Sequence, residues 1–298
     1  MSYLLLFHFA LVFNVPGEPA MLPSEVWLKK VEEHRRQKDI SFKKDNRSPM
    51  YGSNRYTYSS SSLISVGISE GKLVIDDSLL PYRSLLVKFE NGIWHWTEGE
   101  KGVQAFSGTK FLSLGPIPSG SYFKIKGFTV SVYASAKKIS FICFNPNRDT
   151  GKTFSHLRYF KPDPDYNVQA EIIRLKTINK VTMLTSQNQE KTYYRYAKLK
   201  FKIQEKTFSL FAYKMSLEGD MAKYLFIPFT DLTTGKESYG AGRYIEMEEP
   251  AGQKVQLDFN LAFNPLCNYS PAYNCPVPLD ENALEIPIRA GEKTYPIH

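Results

Sequence analysis

The stretch "YAKLKFKI", residues 196–203, alternates apolar and basic side chains without a slip. Successive side chains of a strand point to opposite faces. Ala197, Leu199, Phe201 and Ile203 are therefore expected to face a core, and Lys198, Lys200 and Lys202 to face solvent. The same period of two, in short pieces, begins at Leu63 and recurs through most of the chain. "KLVID", "SLLVKF", "GIWHW", "GVQAF", "KFLSL", "YFKIK" and "FTVSVY" are strand candidates, with turns at Asp76–Asp77, Glu90–Asn91–Gly92, Ser107–Gly108 and Gly120. Many short strands at this spacing predict a small β-sandwich. The alternation slips at Gly127, which predicts a bulge or tight turn there. A second series follows: "YNVQAEIIRL", "YAKLKFKI", "TFSLFAYKM", "KYLFIPF", "RYIEM" and "KVQLDFN". Pro228 predicts that "KYLFIPF" lies at a sheet edge or ends there, because proline cannot donate to a ladder. Aromatic residues make up 14% of the 298 positions, which fits a pleated, half-buried surface.

One segment carries the helical period instead. In "PSEVWLKKVEEHRRQKDISF", Trp27, Leu28 and Val31 share a face, and Glu25–Lys29 and Glu32–Arg36 are spaced for i,i+4 pairs. "KKDNRSPMYGSNR" closes the helix with turn formers and a proline. The tail "NPLCNYSPAYNCPVPLDENALEIPIRAGEKTYP" is proline-rich and irregular, and a loop of that length in a compact protein points to function. The expected fold is mainly β. An N-terminal helix comes first, then a small β-sandwich, then a second antiparallel β domain with a long irregular C-terminal loop. The expected divisions are 1–20, a signal-like run or mis-assigned start; 21–50, an amphipathic basic helix; 51–135, the sandwich; and 136–298, the C-terminal β domain.

The run "YLLLFHFALVF" is too short to span a bilayer. It resembles the apolar part of a signal, yet no Lys or Arg precedes it. Two expectations stand: a cytoplasmic protein starting at Met21, or a secreted one if the run is a signal. No other segment is long and apolar enough to cross a membrane.

The formal charge is +8, and residues 29–47 hold eight basic side chains against four acidic ones. Such a face can attract nucleic acid or an anionic membrane, and a solvated helix face is the plainer expectation. "GKE" at 235–237 is no phosphate loop, since Thr230 stands where glycine is needed and Glu237 where a hydroxyl is needed. "GKT" at 151–153 fails likewise, with Pro146 in the glycine position. Gly240 and Gly242 do not begin a dinucleotide fingerprint, because Ile245 and a strand follow. What remains is a glycine-rich loop ending at Arg243, whose guanidinium can grip a carboxylate or phosphate, or else a tight β connection with Arg243 in a salt bridge. The five histidines show no metal-ligand spacing. Cys143 lies in the apolar "ISFICF". Cys267 and Cys275 are read three ways: buried free thiols, a disulfide in an oxidising compartment, or Cys267 as a nucleophile activated by Arg243.

"FTDLTTGKESYGAGRYIEM", "LRYFKPDPDYNVQAEI" and "LDFNLAFNPLCNYSPAYNCPVPLDENALEIPIRAGEK" resemble the family called domain of unknown function 1684, in its long form. The resemblance covers nearly all of 150–295 and extends to the helix, "WLKKVEEHRRQKDISFKKDNRSPM". It implies that Glu237, Tyr239, Gly240, Gly242, Arg243, Asp258, Asn260, Asn264, Cys267, Cys275 and Asn282 belong to the family signature, and it carries no activity. The inserted module, "SVGISEGKLVIDD" to "IPSGSYFKIKGFTV", resembles a forkhead-associated sandwich. Ile68 follows Gly67 where a phosphate-reading Arg is expected, and Ser107–Gly108 stands for Asn-Gly, so phosphopeptide binding is not expected.

The leading functional expectation is a binding protein. Its anionic small-molecule or peptide ligand would be held at Arg243, with Glu237, Tyr239, Gly240, Gly242, Asn260, Asn264 and Asn282 around it. One alternative is a hydrolase or transferase using Cys267 or Asp258 in the same pocket. Another is a basic adaptor docking on nucleic acid or membrane through 29–47. No cofactor and no metal are expected, and Cys267 and Cys275 form a structural pair.

Overall fold

The computed structural model describes residues 24–59, 62–135 and 138–296. The signal-like run and the Met21 start lie outside them. The helix α1, Ser24–Lys44, has Glu25 in its first turn and Lys43 and Lys44 in its last, the order that suits the helix dipole. Trp27 and Val31 are buried as expected, while Leu28 is 37% exposed. Arg36 pairs with Glu33 at 2.6 Å rather than with Glu32. Among the described residues, no helix is long and apolar enough to cross a membrane.

The chain forms two compact units. One contains residues 41–155 and Tyr269–Tyr273. Its strands are β1 (Gly52–Tyr58), β2 (Leu63–Ser69), β3 (Lys72–Asp76), β4 (Arg83–Glu90), β5 (Ile93–Gly99), β6 (Gln104–Ser107), β7 (Lys110–Leu112), β8 (Gly115–Pro116), β9 (Tyr122–Ile125), β10 (Phe128–Ser135) and β11 (Lys138–Phe144). They make a five-stranded sheet, β3-β2-β4-β5-β8, and a six-stranded sheet, β1-β11-β10-β9-β6-β7. Inward side chains of both sheets share one core, including Val66, Leu85, Trp94, Phe123, Val130 and Phe141. The sandwich expected from the alternation is thus present. Gly127, at φ +90° beside Lys126 at +46°, makes the tight turn between β9 and β10. The expected boundary at 135/136 divides a strand pair. β11 lies between β1 and β10 in their sheet, so it belongs to the sandwich and not to the C-terminal domain.

The other unit contains residues 24–40, 156–268 and 274–296. Its strands are β12 (Asn167–Leu184), β13 (Glu190–Ile203), β14 (Lys206–Lys214), β15 (Tyr224–Phe229), β16 (Arg243–Glu248) and β17 (Lys254–Asp258), paired antiparallel in the order β16-β15-β14-β13-β12-β17. Ala197, Leu199, Phe201 and Ile203 are buried as the alternation requires. They join Leu210, Leu225, Ile227, Phe229 and Leu257 in one core, and Phe259, Ala262, Leu284, Ile288 and Ala290 from the irregular tail complete it. Removing a Leu or Phe side chain from water contributes about 1.5–3 kcal/mol, so the tail is part of the core's stability.

Pro228 is not at a sheet edge, since β15 lies between β14 and β16, but the strand ends one residue later, at Phe229, as the other alternative has it. The physical demand of proline is met differently. β14 and β15 pair only at Tyr213↔Phe226. Where the ladder would continue, the side-chain amide of Asn282 donates to Phe211 O at 2.9 Å and Pro228 O at 2.6 Å. Its carbonyl accepts from Phe211 N at 2.7 Å. A strand residue's N–H and C=O point the same way, so the absent N–H of Pro228 also faces this seam. Asn282 therefore does the work of backbone there, which accounts for a residue expected to bind ligand. Asn282→Leu leaves three strand groups without partners. It should destabilise this domain by about 2–4 kcal/mol, read as a lower denaturation midpoint in urea.

Candidate functional site

Arg243 opens β16, and its side chain is wholly buried. Gly242, at φ +79°, turns the chain into it; a Cβ there would meet Phe229 O at 2.6 Å, so only glycine fits. Nη2 donates to Asp231 Oδ2 and to Ile288 O, both at 2.8 Å. Nη1 donates to Ala290 O and, at 3.3 Å, to Glu292 O. The rings of Phe160 and Phe229 lie 5.7 and 5.3 Å from the guanidinium carbon. Burial pulls the guanidinium down from its ordinary range, and the Asp231 carboxylate opposes that shift. Both terminal nitrogens are committed to the protein itself. Of the two sequence readings of this loop, the salt bridge is the one formed, and the anion grip at Arg243 is corrected.

Asn264 meets Arg243 at Glu292. Its N–H donates to Glu292 Oε2 at 2.7 Å, and its amide donates to Lys293 O at 2.8 Å. Lys38 of α1 pairs with Glu292 Oε1 at 2.6 Å. Arg35 donates to Phe160 O and Asn260 O. Two of the basic side chains that suggested an adaptor face are thus turned inward to hold the helix. The loops 230–243 and 260–282 meet where Tyr239 donates to Cys267.

Asp258 and Asn260 are also structural. Trp27 Nε1 donates to Asp258 Oδ2 at 2.7 Å, and Asn260 N and Nδ2 donate to Oδ1 at 2.9 Å. Asn260 Oδ1 accepts from Asp163 N while its amide returns a bond to Asp163 O, both at 2.8 Å. Burial raises the Asp258 carboxyl, and the Trp27 hydrogen bond is the largest opposing influence. Both carboxylate oxygens of Asp258 are thus engaged, and through Trp27 it anchors the helix. Glu237 forms an exposed pair with Arg289 at 3.0 Å.

The remaining candidates meet at Cys267. Its N–H donates to Cys275 Sγ at 3.3 Å, and the Tyr239 hydroxyl lies 3.6 Å from Cys267 Sγ as donor. Gly240 follows Tyr239 and has room for a side chain. The Cys275 segment is laid along the end of β12: Ser186 N donates to Cys275 O at 2.8 Å and Val277 N to Leu184 O at 2.7 Å. Cys275 N in turn donates to Ser186 Oγ at 3.3 Å. All three cysteines are free thiols; Cys275 is buried and Cys267 partly exposed. The Cys275 thiol hydrogen-bonds to Cys267 and holds it below the ordinary thiol range. Burial opposes this, and the Tyr239 and Ser186 hydroxyls assist it. Cys275 moves the opposite way, well up, through its hydrogen bond with Cys267 and its burial. Burial alone pushes Cys143 up to about 12. Arg243 is not among the groups acting on Cys267, contrary to the sequence expectation.

The sequence reading missed Asp231, Glu292 and Ser186. Asp231 takes Thr233 N at 2.8 Å in a local turn, and "FTDLTTG" carries that Asx-turn signal. Nothing in the sequence links Glu292 to residue 38 or Ser186 to residue 275. Among the described residues, no group of His, Cys, Asp and Glu could hold a metal ion.

Arg243→Leu strands the Asp231 carboxylate in the core. It should cost about 3–5 kcal/mol, seen as a large loss of midpoint on chemical denaturation. A variant of wild-type stability would remove the hub reading.

No curated protein matches the chain. A solved relative is an uncharacterized protein of Haloarcula marismortui, determined by solution NMR. It is 38% identical, over 50% of this chain and 80% of its own length, with a TM-score of 0.41. The identity, not the superposition, carries that relationship. The family described as "Protein of unknown function (DUF1684)" matches residues 152–293, the stretch that holds the Arg243 joint and both loop cysteines, and through it the chain belongs to that family.

Proposed function

We propose that the C-terminal domain performs thiol chemistry, with Cys267 as the nucleophile of a transferase or hydrolase acting on an acyl carbonyl. The setting of the Cys267 sulfur supports this reading. It is partly exposed, and the Cys275 thiol and the Tyr239 hydroxyl both stabilise its thiolate. A thiolate already formed attacks without a general base. The sulfur bonds to the carbonyl carbon, and the leaving group departs with a proton from the Tyr239 hydroxyl. Water or an acceptor then releases the acyl group and returns that proton.

Reaction with iodoacetamide tests the premise on the native full chain. The rate follows the thiolate fraction, so its midpoint should fall below the ordinary thiol value of about 8.5. Cys267→Ser should abolish the fast phase, and Cys275→Ala should move the midpoint upward. Labelling of Cys267 no faster than a free thiol at neutral pH would end this proposal.

For the sandwich we propose a docking role related to forkhead-associated modules, without phosphate reading. Ile68 supports this, because an aliphatic side chain stands where an Arg would grip phosphate. Phosphothreonine peptides should show no phosphate-dependent binding by calorimetry; a micromolar, phosphate-dependent Kd would refute the assignment.

A further inference from the structure

The pairing of Cys267 with Cys275 has a consequence beyond nucleophilic attack. Cys275 is fixed against the end of β12 by Ser186, and its sulfur accepts the Cys267 N–H at 3.3 Å. The loop joining them is held between Pro265 and Pro276, and Pro276 makes a bridge to Thr185. Two free thiols are thus kept side by side, one partly exposed and one buried. That is the arrangement of an attacking and a resolving cysteine.

We infer that Cys267 and Cys275 form a reversible peroxide-driven disulfide, in which Cys267 meets the oxidant and Cys275 resolves it. The inference rests on the reactive Cys267 of the proposed function. The Cys267 thiolate sulfur attacks one oxygen of hydrogen peroxide. The O–O bond breaks, and hydroxide leaves, giving a sulfenic acid on Cys267. The Cys275 sulfur then attacks the Cys267 sulfur. An S–S bond forms as the S–O bond breaks, and water leaves with the Cys275 proton. The peroxide gains two electrons and the dithiol loses two. A dithiol reductant reverses the change by exchange. Oxidation at this pair withdraws the Cys267 nucleophile and protects it from irreversible sulfinic acid.

The reduced full chain is treated with equimolar hydrogen peroxide, then denatured, alkylated and mapped by peptide mass. The expected product is one Cys267–Cys275 cross-linked peptide lighter by two hydrogens, with Cys143 still alkylated. Dithiothreitol should restore both thiols and the fast iodoacetamide reaction. In Cys275→Ser, a second equivalent of peroxide should carry Cys267 on to sulfinic acid, which the same excess should not do in the wild type. Wild-type protein carrying sulfinic Cys267 beside an alkylated Cys275, or with both cysteines unchanged, would overturn the inference. The wild-type map decides this even if the variant fails to fold. Fast native labelling of Cys267 together with either adverse map refutes the disulfide alone. Slow labelling refutes the nucleophile as well.

Discussion

A guanidinium with no access to water holds the last stretch of the C-terminal domain to its sheet. Removing such a charge from water costs several kcal/mol, and only good geometry with full hydrogen bonding offsets it. Arg243 answers most of that demand through its two terminal nitrogens, with one carboxylate, Asp231, and the carbonyls of Ile288, Ala290 and Glu292, while its Nε has no hydrogen-bond partner. Backbone carbonyls of an irregular segment have no ladder to satisfy them, so the same contacts settle two needs at once. The tail can then lay Leu284, Ile288 and Ala290 into the core. The side chain of Glu292 extends the joint to Lys38 and Asn264. A signature Arg in a glycine-rich loop looks like a ligand grip in sequence, and here its ligand is the protein itself.

Much of the fold was legible because period-two alternation is a local property. Ala197 to Ile203 and the turn at Gly127 required no knowledge of distant residues. The strand boundary at 135/136 was misread because partnership is not local: β11 reads as an apolar run in either domain, and only its pairing with β1 and β10 assigns it. Pro228 marks a missing donor close to the end of its strand, but nothing near it announces an amide 54 residues away. The candidate site was legible as a set of residues but not as roles. Asn260, Asn264, Asn282 and Asp258 are polar residues with specific partners, and polar side chains that satisfy buried backbone look the same in sequence as those that bind a ligand.

Cys267 is only partly buried, whereas Asp258, Asn260, Asn264 and Asn282 are buried. Its neighbours are a second thiol and a tyrosine hydroxyl, with no imidazole among the groups that act on it.

The seam between β14 and β15 has a mechanical meaning as well. A ladder spreads its load over successive backbone bonds, each supported by the next. Here a single side chain on a short helical turn, Asp280–Asn282, carries the strands beyond Tyr213↔Phe226. Withdrawing that turn would release the three Asn282 side-chain bonds together, along with the bonds Glu281 makes to Arg195 and Tyr213. The domain has a parting line placed within its sheet rather than at its rim, and the tail that covers the core also supplies the latch.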